Sequence, residues 1–319
     1  MCLIGCVPFF VWINRTNVSI SFSNDMKKSL TYTYVLLITS MMLWGGTWVA
    51  GRVLVQYIHP MSAAFLRFAF ASATLIIMCW KAEGRMPRLA RNEIVPVLGL
   101  GATGVFAYSY FFFTGLQTTS AGRAALIVAC IPVCISVLSA LLYKERFGPI
   151  RIVGALTSLV GVSVVIADGS PLALISEGVS RGDFMILGCV ASWTAYTLGG
   201  RSVTKTLSPL TSVTWSCIFG MILLLPAGLA SGLTSDIGNI PPVGWFCIFF
   251  LGVLATGFAY CWYYEAISTI GASRSGIFIN TVPVFAVVMS FFLLGEPIHL
   301  SLALGGFMVI TGVYLTNRP

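Results

Sequence analysis

The side chains that recur in a pattern here are aromatic, amide and proline, not acid, base or thiol. Trp44 and Trp48 lie one helical turn apart, with Thr47 beside them. Trp193 and Tyr196 occupy a matching place further on, Tyr108 and Tyr260 form another matched pair, and Asn280 comes shortly before Pro283. Such a set can hold a small molecule with an apolar body and a few polar handles. The groups that would make or break bonds are missing in pattern: there is no metal motif, no nucleophile elbow and no pair of carboxylates, so an enzyme is not expected. Cys130 and Cys134 are one turn apart, but no His or third thiol accompanies them. They read as small packing residues, and neither a metal nor a cofactor is expected. "GLGATG" at 99–104 fits G-x-G-x-x-G, yet no strand precedes it and no acid follows about 20 positions on. Close helix packing explains it better.

The elements that position these residues are apolar runs. The chain of 319 residues is 57% hydrophobic and only 9% charged, against about 25% charged in a soluble domain. Ten runs are long enough to cross a bilayer as helices. They cover approximately 33–51, 61–80, 94–116, 121–143, 151–167, 183–200, 210–231, 243–266, 273–294 and 300–316. The runs are too long for barrel strands and do not alternate. With the N-terminus inside, 14 Lys and Arg fall on the inner side and four (Arg52, Arg67, Arg123, Arg181) on the outer side. That bias predicts both termini in the cytoplasm. The inner loops account for the net charge of +8. No basic face with interleaved aromatics is present, so nucleic acid is not an expected partner.

The chain also repeats itself. A shift of 151 residues places Arg123 on Arg274, Pro132 on Pro283, Glu145 on Glu296, Gly154 on Gly305 and Gly161 on Gly312. A shift of 149 places Trp44 on Trp193, Gly51 on Gly200 and Pro60 on Pro209, and "FAY" at 106–108 returns at 258–260. Each unit holds five spans, an odd number, so the second must enter the membrane inverted. Inverted repeats let a carrier expose one site to either side. The predicted fold is therefore an all-α integral membrane protein of ten transmembrane helices in two five-helix inverted-topology repeats, 33–167 and 183–316. Residues 1–32 form a cytoplasmic extension; Met26-Lys27-Lys28 would serve as a start, with residues 1–25 a mis-called or dispensable leader.

These same residues are similar to a known family. "LWGGTWVAGRVLVQYIHPMSAAFLRFAFA" resembles the opening of EamA-type members of the drug/metabolite transporter superfamily, and "GASRSGIFINTVPVFAVVMSFFLLGEP" resembles their closing half. The resemblance covers about residues 33 to 316. It implies two EamA repeats in the inner (plasma) membrane and export or exchange of small metabolites, often amino acids. "YKERF" departs from the leucine-glycine that the family usually has before the glutamate. A membrane sensor or scaffold that binds a metabolite without moving it is the alternative.

Individual residues carry paired expectations. Aromatics near span ends form interface belts; Trp44, Trp48, Tyr108, Trp193, Tyr196 and Tyr260 lie deeper, where with Thr47 and Asn280 they would line a cavity. Pro132 and Pro283 each remove a hydrogen bond to the carbonyl four residues back, of Val128 and Ile279. That gives a packing kink or a bend that opens the cavity, and the symmetry favours the bend. Glu145 and Glu296 are expected to cap their loop and the start of the next helix. Arg67, Arg123 and Arg274 are expected to snorkel to the interface, the latter two alternatively drawing an anion to the mouth of the path. Glu265 is the best-placed acid for proton coupling, with uncoupled diffusion or exchange equally open. Ten helices enclose a cavity in one chain, so a functional monomer is expected, its partners being the lipid bilayer and a small-molecule substrate.

Overall fold

In hydrocarbon every backbone polar group must be satisfied within the chain, which leaves the helix as the simplest way across for these runs. The structure is a computed structural model that describes residues 30–143, 148–167 and 179–316, and among them there is no strand. Residues 1–29 of the extension, Glu145 and Arg318 lie outside the described residues, and residues 30–32 belong to the first helix.

In chain order the helices are α1 (Leu30–Leu54), α2 (Pro60–Glu83), α3 (Arg91–Leu100, Gly101–Ala107 and Tyr108–Leu116), α4 (Ala121–Val128 and Ile131–Tyr143), α5 (Pro149–Ala167), α6 (Arg181–Val203) and α7 (Pro209–Ala230). There follow the short α8 (Leu233–Asn239), α9 (Pro242–Phe249, Phe250–Phe258 and Ala259–Ile270), α10 (Ala272–Ile279 and Val282–Leu294) and α11 (Leu300–Thr316). Sequence-local signals start several of them. The hydroxyls of Ser120, Ser180 and Ser208 accept from the N–H of Arg123, Asp183 and Thr211 at 3.4, 3.1 and 3.2 Å. The Nδ1 of His59 accepts from Met61 N–H at 3.2 Å ahead of Pro60, which itself needs no N–H partner.

Seven helices among the described residues are long and apolar enough to cross a membrane. The other three expected spans differ for physical reasons. The α6 run is a 23-residue helix whose apolarity is diluted by glycine, serine and threonine. The α10 run breaks at Asn280–Thr281 into two shorter helices. The α11 helix is apolar but has only 17 residues.

The two halves of the chain interleave. Helix α1 packs on α9 and α10, α2 on α7, the last part of α3 on α6, and α5 on α11. Glycine sets the closest of these approaches. A Cβ at Gly161 would lie 2.8 Å from the Gly305 carbonyl oxygen, and one at Gly154 the same distance from that of Gly312. The α5 and α11 backbones therefore touch, as the seven-residue glycine spacing predicts.

Both halves also carry the same irregularities. Gly101–Ala107 and Phe250–Phe258 are wide, π-helical turns, each ending within its "FAY" sequence. The Thr256 hydroxyl donates to the carbonyl of Leu251, five residues back, at 2.8 Å. Helices α4 and α10 are broken just before Pro132 and Pro283. The prolines do not bend a continuous helix, as the sequence reading expects. Each sits in the first turn of a new segment, where a missing N–H costs nothing.

Candidate functional site

Three charged residues take partners or positions other than those the sequence predicts. Arg123 does not snorkel. Its Nη2 and Nε donate to the Asp183 carboxylate at 2.6 and 2.9 Å, and Nη2 also to the Ile166 carbonyl at 2.6 Å, which joins α4, α5 and α6. The Asp183 side chain is 1% exposed and also accepts from the Thr119 hydroxyl at 3.3 Å. Glu296 caps no helix that follows it. Its two carboxylate oxygens accept from the N–H groups of Ala121 and Gly122 at 3.0 and 3.3 Å, so it caps α4 in the other half of the chain. A carboxylate is favoured there by the exposed N–H groups and the helix dipole.

Arg67 is the third. It lies seven residues into α2, about 10 Å from the start of the helix, within reach of an interface. Its guanidinium instead turns inward, with Cζ 5.1 Å from the Phe68 ring centroid and 5.5 Å from that of Phe112. The Nε and Nη1 atoms are buried and have no hydrogen-bond partner among the described residues.

Arg67 is turned toward the wall of a cavity of about 300 Å³ in the middle of the molecule. Nine helices contribute to that wall; α5 and α8 do not. All eight side chains singled out above line it: Trp44, Thr47, Trp48, Tyr108, Trp193, Tyr196, Tyr260 and Asn280. So do Pro132 and Pro283, and so do Val128 and Ile279, whose carbonyls the prolines cannot reach with an N–H. Glu265 is not part of the wall.

The aromatic rings form two connected groups. Trp44 has its centroid 5.3 Å from Tyr260 and 5.2 Å from Tyr263, and its indole N–H donates to the Ala255 carbonyl at 2.9 Å. Trp193 bridges Tyr108 and Tyr196 at 5.2 and 5.0 Å. These tilted arrangements suit the ring quadrupoles and hold the rings in place. Gly104 lets Tyr196 lie against α3, since a Cβ there would be 2.7 Å from Tyr196 Cε2. The wide turn in α9 brings Thr256 to the same wall.

Sequence reasoning missed Arg67, Tyr263 and Thr256. For Arg67 a signal was present: it is the one charge more than two residues away from either end of an expected run. Cys130 and Cys134 are free thiols, and no group of potential metal ligands occurs among the described residues. Chemically the cavity offers, among the described residues, aromatic and aliphatic surface, neutral hydrogen-bonding groups and a single cation. That composition suits the binding of a small molecule.

Long apolar helices around a central, mainly apolar cavity define a multi-pass membrane protein. The chain belongs to the EamA-like transporter family, whose model matches it twice, over residues 31–167 and 180–318. It is 30% identical over 280 residues to the uncharacterized transporter YyaM of Bacillus subtilis, covering 88% of this chain and 92% of that one. It is 27% identical over 285 residues to an uncharacterized transporter of Archaeoglobus fulgidus, covering 89% and 98%. A probable terminal-alkyne amino-acid exporter of Streptantibioticus cattleyicolor is 26% identical over 284 residues, covering 88% and 92%. A solved crystal structure shares the fold with a TM-score of 0.61 at 20% identity, covering 90% of this chain and 97% of that one.

Proposed function

We propose that this chain is a carrier that exports amino acids or related small metabolites across the plasma membrane by alternating access. The observation that carries the reading is the composition of the cavity wall. Repeat-related pairs (Trp44 with Trp193, Tyr108 with Tyr260, Pro132 with Pro283) meet around one central space. Two inverted five-helix repeats of a ten-span protein would exchange places about such a site. Matching wide turns and matching helix breaks support that symmetry. The amino-acid assignment draws on the size of the cavity and on the Streptantibioticus relative, a probable terminal-alkyne amino-acid exporter. One chain lines the whole site, which fits a functional monomer.

The Lys and Arg distribution supports cytoplasmic termini. In that orientation the Arg123–Asp183 pair, the Glu296 cap on α4 and the bond from Arg52 to the Leu116 carbonyl all lie at the external face. At that face they would tie α1 to α3, α4 to α6 and the end of α10 to α4.

The test is counterflow in proteoliposomes with a panel of labelled amino acids, with and without a pH gradient. The carrier reading expects saturable counterflow of at least one member of the panel. Binding without flux would replace it with a sensor or scaffold, and gradient dependence would distinguish proton antiport from exchange.

A further inference from the structure

We propose that Arg67 is the anion anchor of the cavity and that the transported molecules are amphipathic monocarboxylates with an apolar or aromatic body, a substrate class that rests on the carrier reading above. The starting point is an unbalanced charge. Arginine is always protonated and offers five N–H donors in a planar fork. Two of the Arg67 nitrogens are buried without a partner among the described residues. Phe68 and Phe112 present ring faces to the guanidinium, which offsets part of the charge but accepts none of the donors in the way an oxygen does.

No carboxylate of the described chain balances it. Glu83 is bonded to Ser208 and Thr211, Glu93 to the Ala90 N–H, Asp183 to Arg123, Asp236 to the His59 N–H and Glu296 to the start of α4. Glu265 is not part of the cavity wall. The other ionisable groups that line the cavity among the described residues are the hydroxyls of Tyr108, Tyr196, Tyr260 and Tyr263 and the thiol of Cys217, all neutral in ordinary water near pH 7. A lone charge within an apolar span is costly and marks a substrate or ion path. A bidentate carboxylate fits the fork.

The rest of the wall sets the class. Among the described residues Arg67 is the only charged side chain lining the cavity, so one anionic group is matched and a second would be left unpaired. An ammonium group would meet no acid there, only neutral acceptors such as Asn280 and the carbonyls of Val128 and Ile279. The amino group of an amino acid should therefore contribute little to affinity, and the carboxylate should be required.

The experiment uses the purified full-length protein and three probes of one shape: phenylalanine, 3-phenylpropionate, which lacks the amino group, and phenethylamine, which lacks the carboxylate. Thermal stabilisation of the wild type in detergent and counterflow in proteoliposomes are read for each. Both carboxylates should bind and move, and phenethylamine should do neither. Arg67→Gln should weaken both carboxylates about ten- to hundred-fold, the size expected from losing a charged hydrogen-bonded pair, and Arg67→Lys should fall between. If Arg67→Gln does not fold, the three-probe comparison on the wild type still decides. Stabilisation by phenethylamine equal to that by the acids, no response to either acid, or undiminished affinity in Arg67→Gln would overturn the anchor. Each of those outcomes leaves the carrier reading standing if any amino acid of the panel shows counterflow. Absence of counterflow across the whole panel would instead remove the carrier reading.

Discussion

Replacing Arg123 with alanine removes one partner of an ion pair whose other member stays buried. The Asp183 carboxylate is 1% exposed and the Arg123 side chain 20% exposed. Breaking a buried pair by deleting one partner costs about 3–5 kcal/mol, because a charge is left without compensation. The partial exposure of Arg123 and the Thr119 hydroxyl that still reaches Asp183 favour the lower end, about 3 kcal/mol. The reverse deletion should cost less. In Asp183→Asn, Arg123 keeps its bond to the Ile166 carbonyl and some access to water, so a loss of about 1–2 kcal/mol is expected, the range for a charged hydrogen bond. In a chain of this size 1 kcal/mol moves an apparent melting midpoint by about 2 °C. Arg123→Ala should thus lower the midpoint of the detergent-solubilised protein by about 6 °C, and Asp183→Asn by about 2–4 °C. Equal midpoints for Arg123→Ala and wild type, or a larger loss for Asp183→Asn, would refute the account of this pair as a clamp around a buried carboxylate.

Gly312→Val would place a Cβ 2.6 Å from the Gly154 carbonyl oxygen. It should separate α5 from α11 at a cost of about 1–3 kcal/mol or more, read as a lower melting midpoint in the same assay. Pro132→Ala and Pro283→Ala supply an N–H to the carbonyls of Val128 and Ile279 and should close the helix breaks. Substrate affinity should stay near normal while counterflow slows, and a variant with weakened binding and normal flux would contradict this. Gly104→Ala would set a Cβ 2.7 Å from Tyr196 Cε2 and push that ring into the cavity. Binding should weaken about tenfold at unchanged membrane abundance, as measured by ligand-induced thermal stabilisation.

Depth within a span can be counted from the sequence, and this is why the cavity wall was legible. Trp44, Trp193, Tyr108 and Tyr260 lie well inside their runs, and the repeat relates them in pairs. Which way a side chain turns at that depth is a different matter. Arg67 can reach an interface from its position, and the sequence does not show that Phe68 and Phe112 will receive it instead. Partners remote in sequence were hidden for a related reason. Asp183 lies 60 residues from Arg123, and Glu296 is 175 residues from the N–H it caps. Only the interleaving of the two halves brings them together. The prolines marked where α4 and α10 change course, but not that the helices break there. The wide turns of α3 and α9 left no signal beyond their glycines, since a π-helical turn keeps the composition of the α-helix around it.

Two-sided access to the cavity tests the account most directly. In a background without cysteines, a cysteine at Asn280 can be labelled by a membrane-impermeant thiol reagent applied to either face of sealed vesicles of known orientation. Alternating access predicts labelling from both faces, slowed in both cases by a transported amino acid. Labelling from one face alone, or substrate protection absent from both, would contradict a carrier built around this cavity.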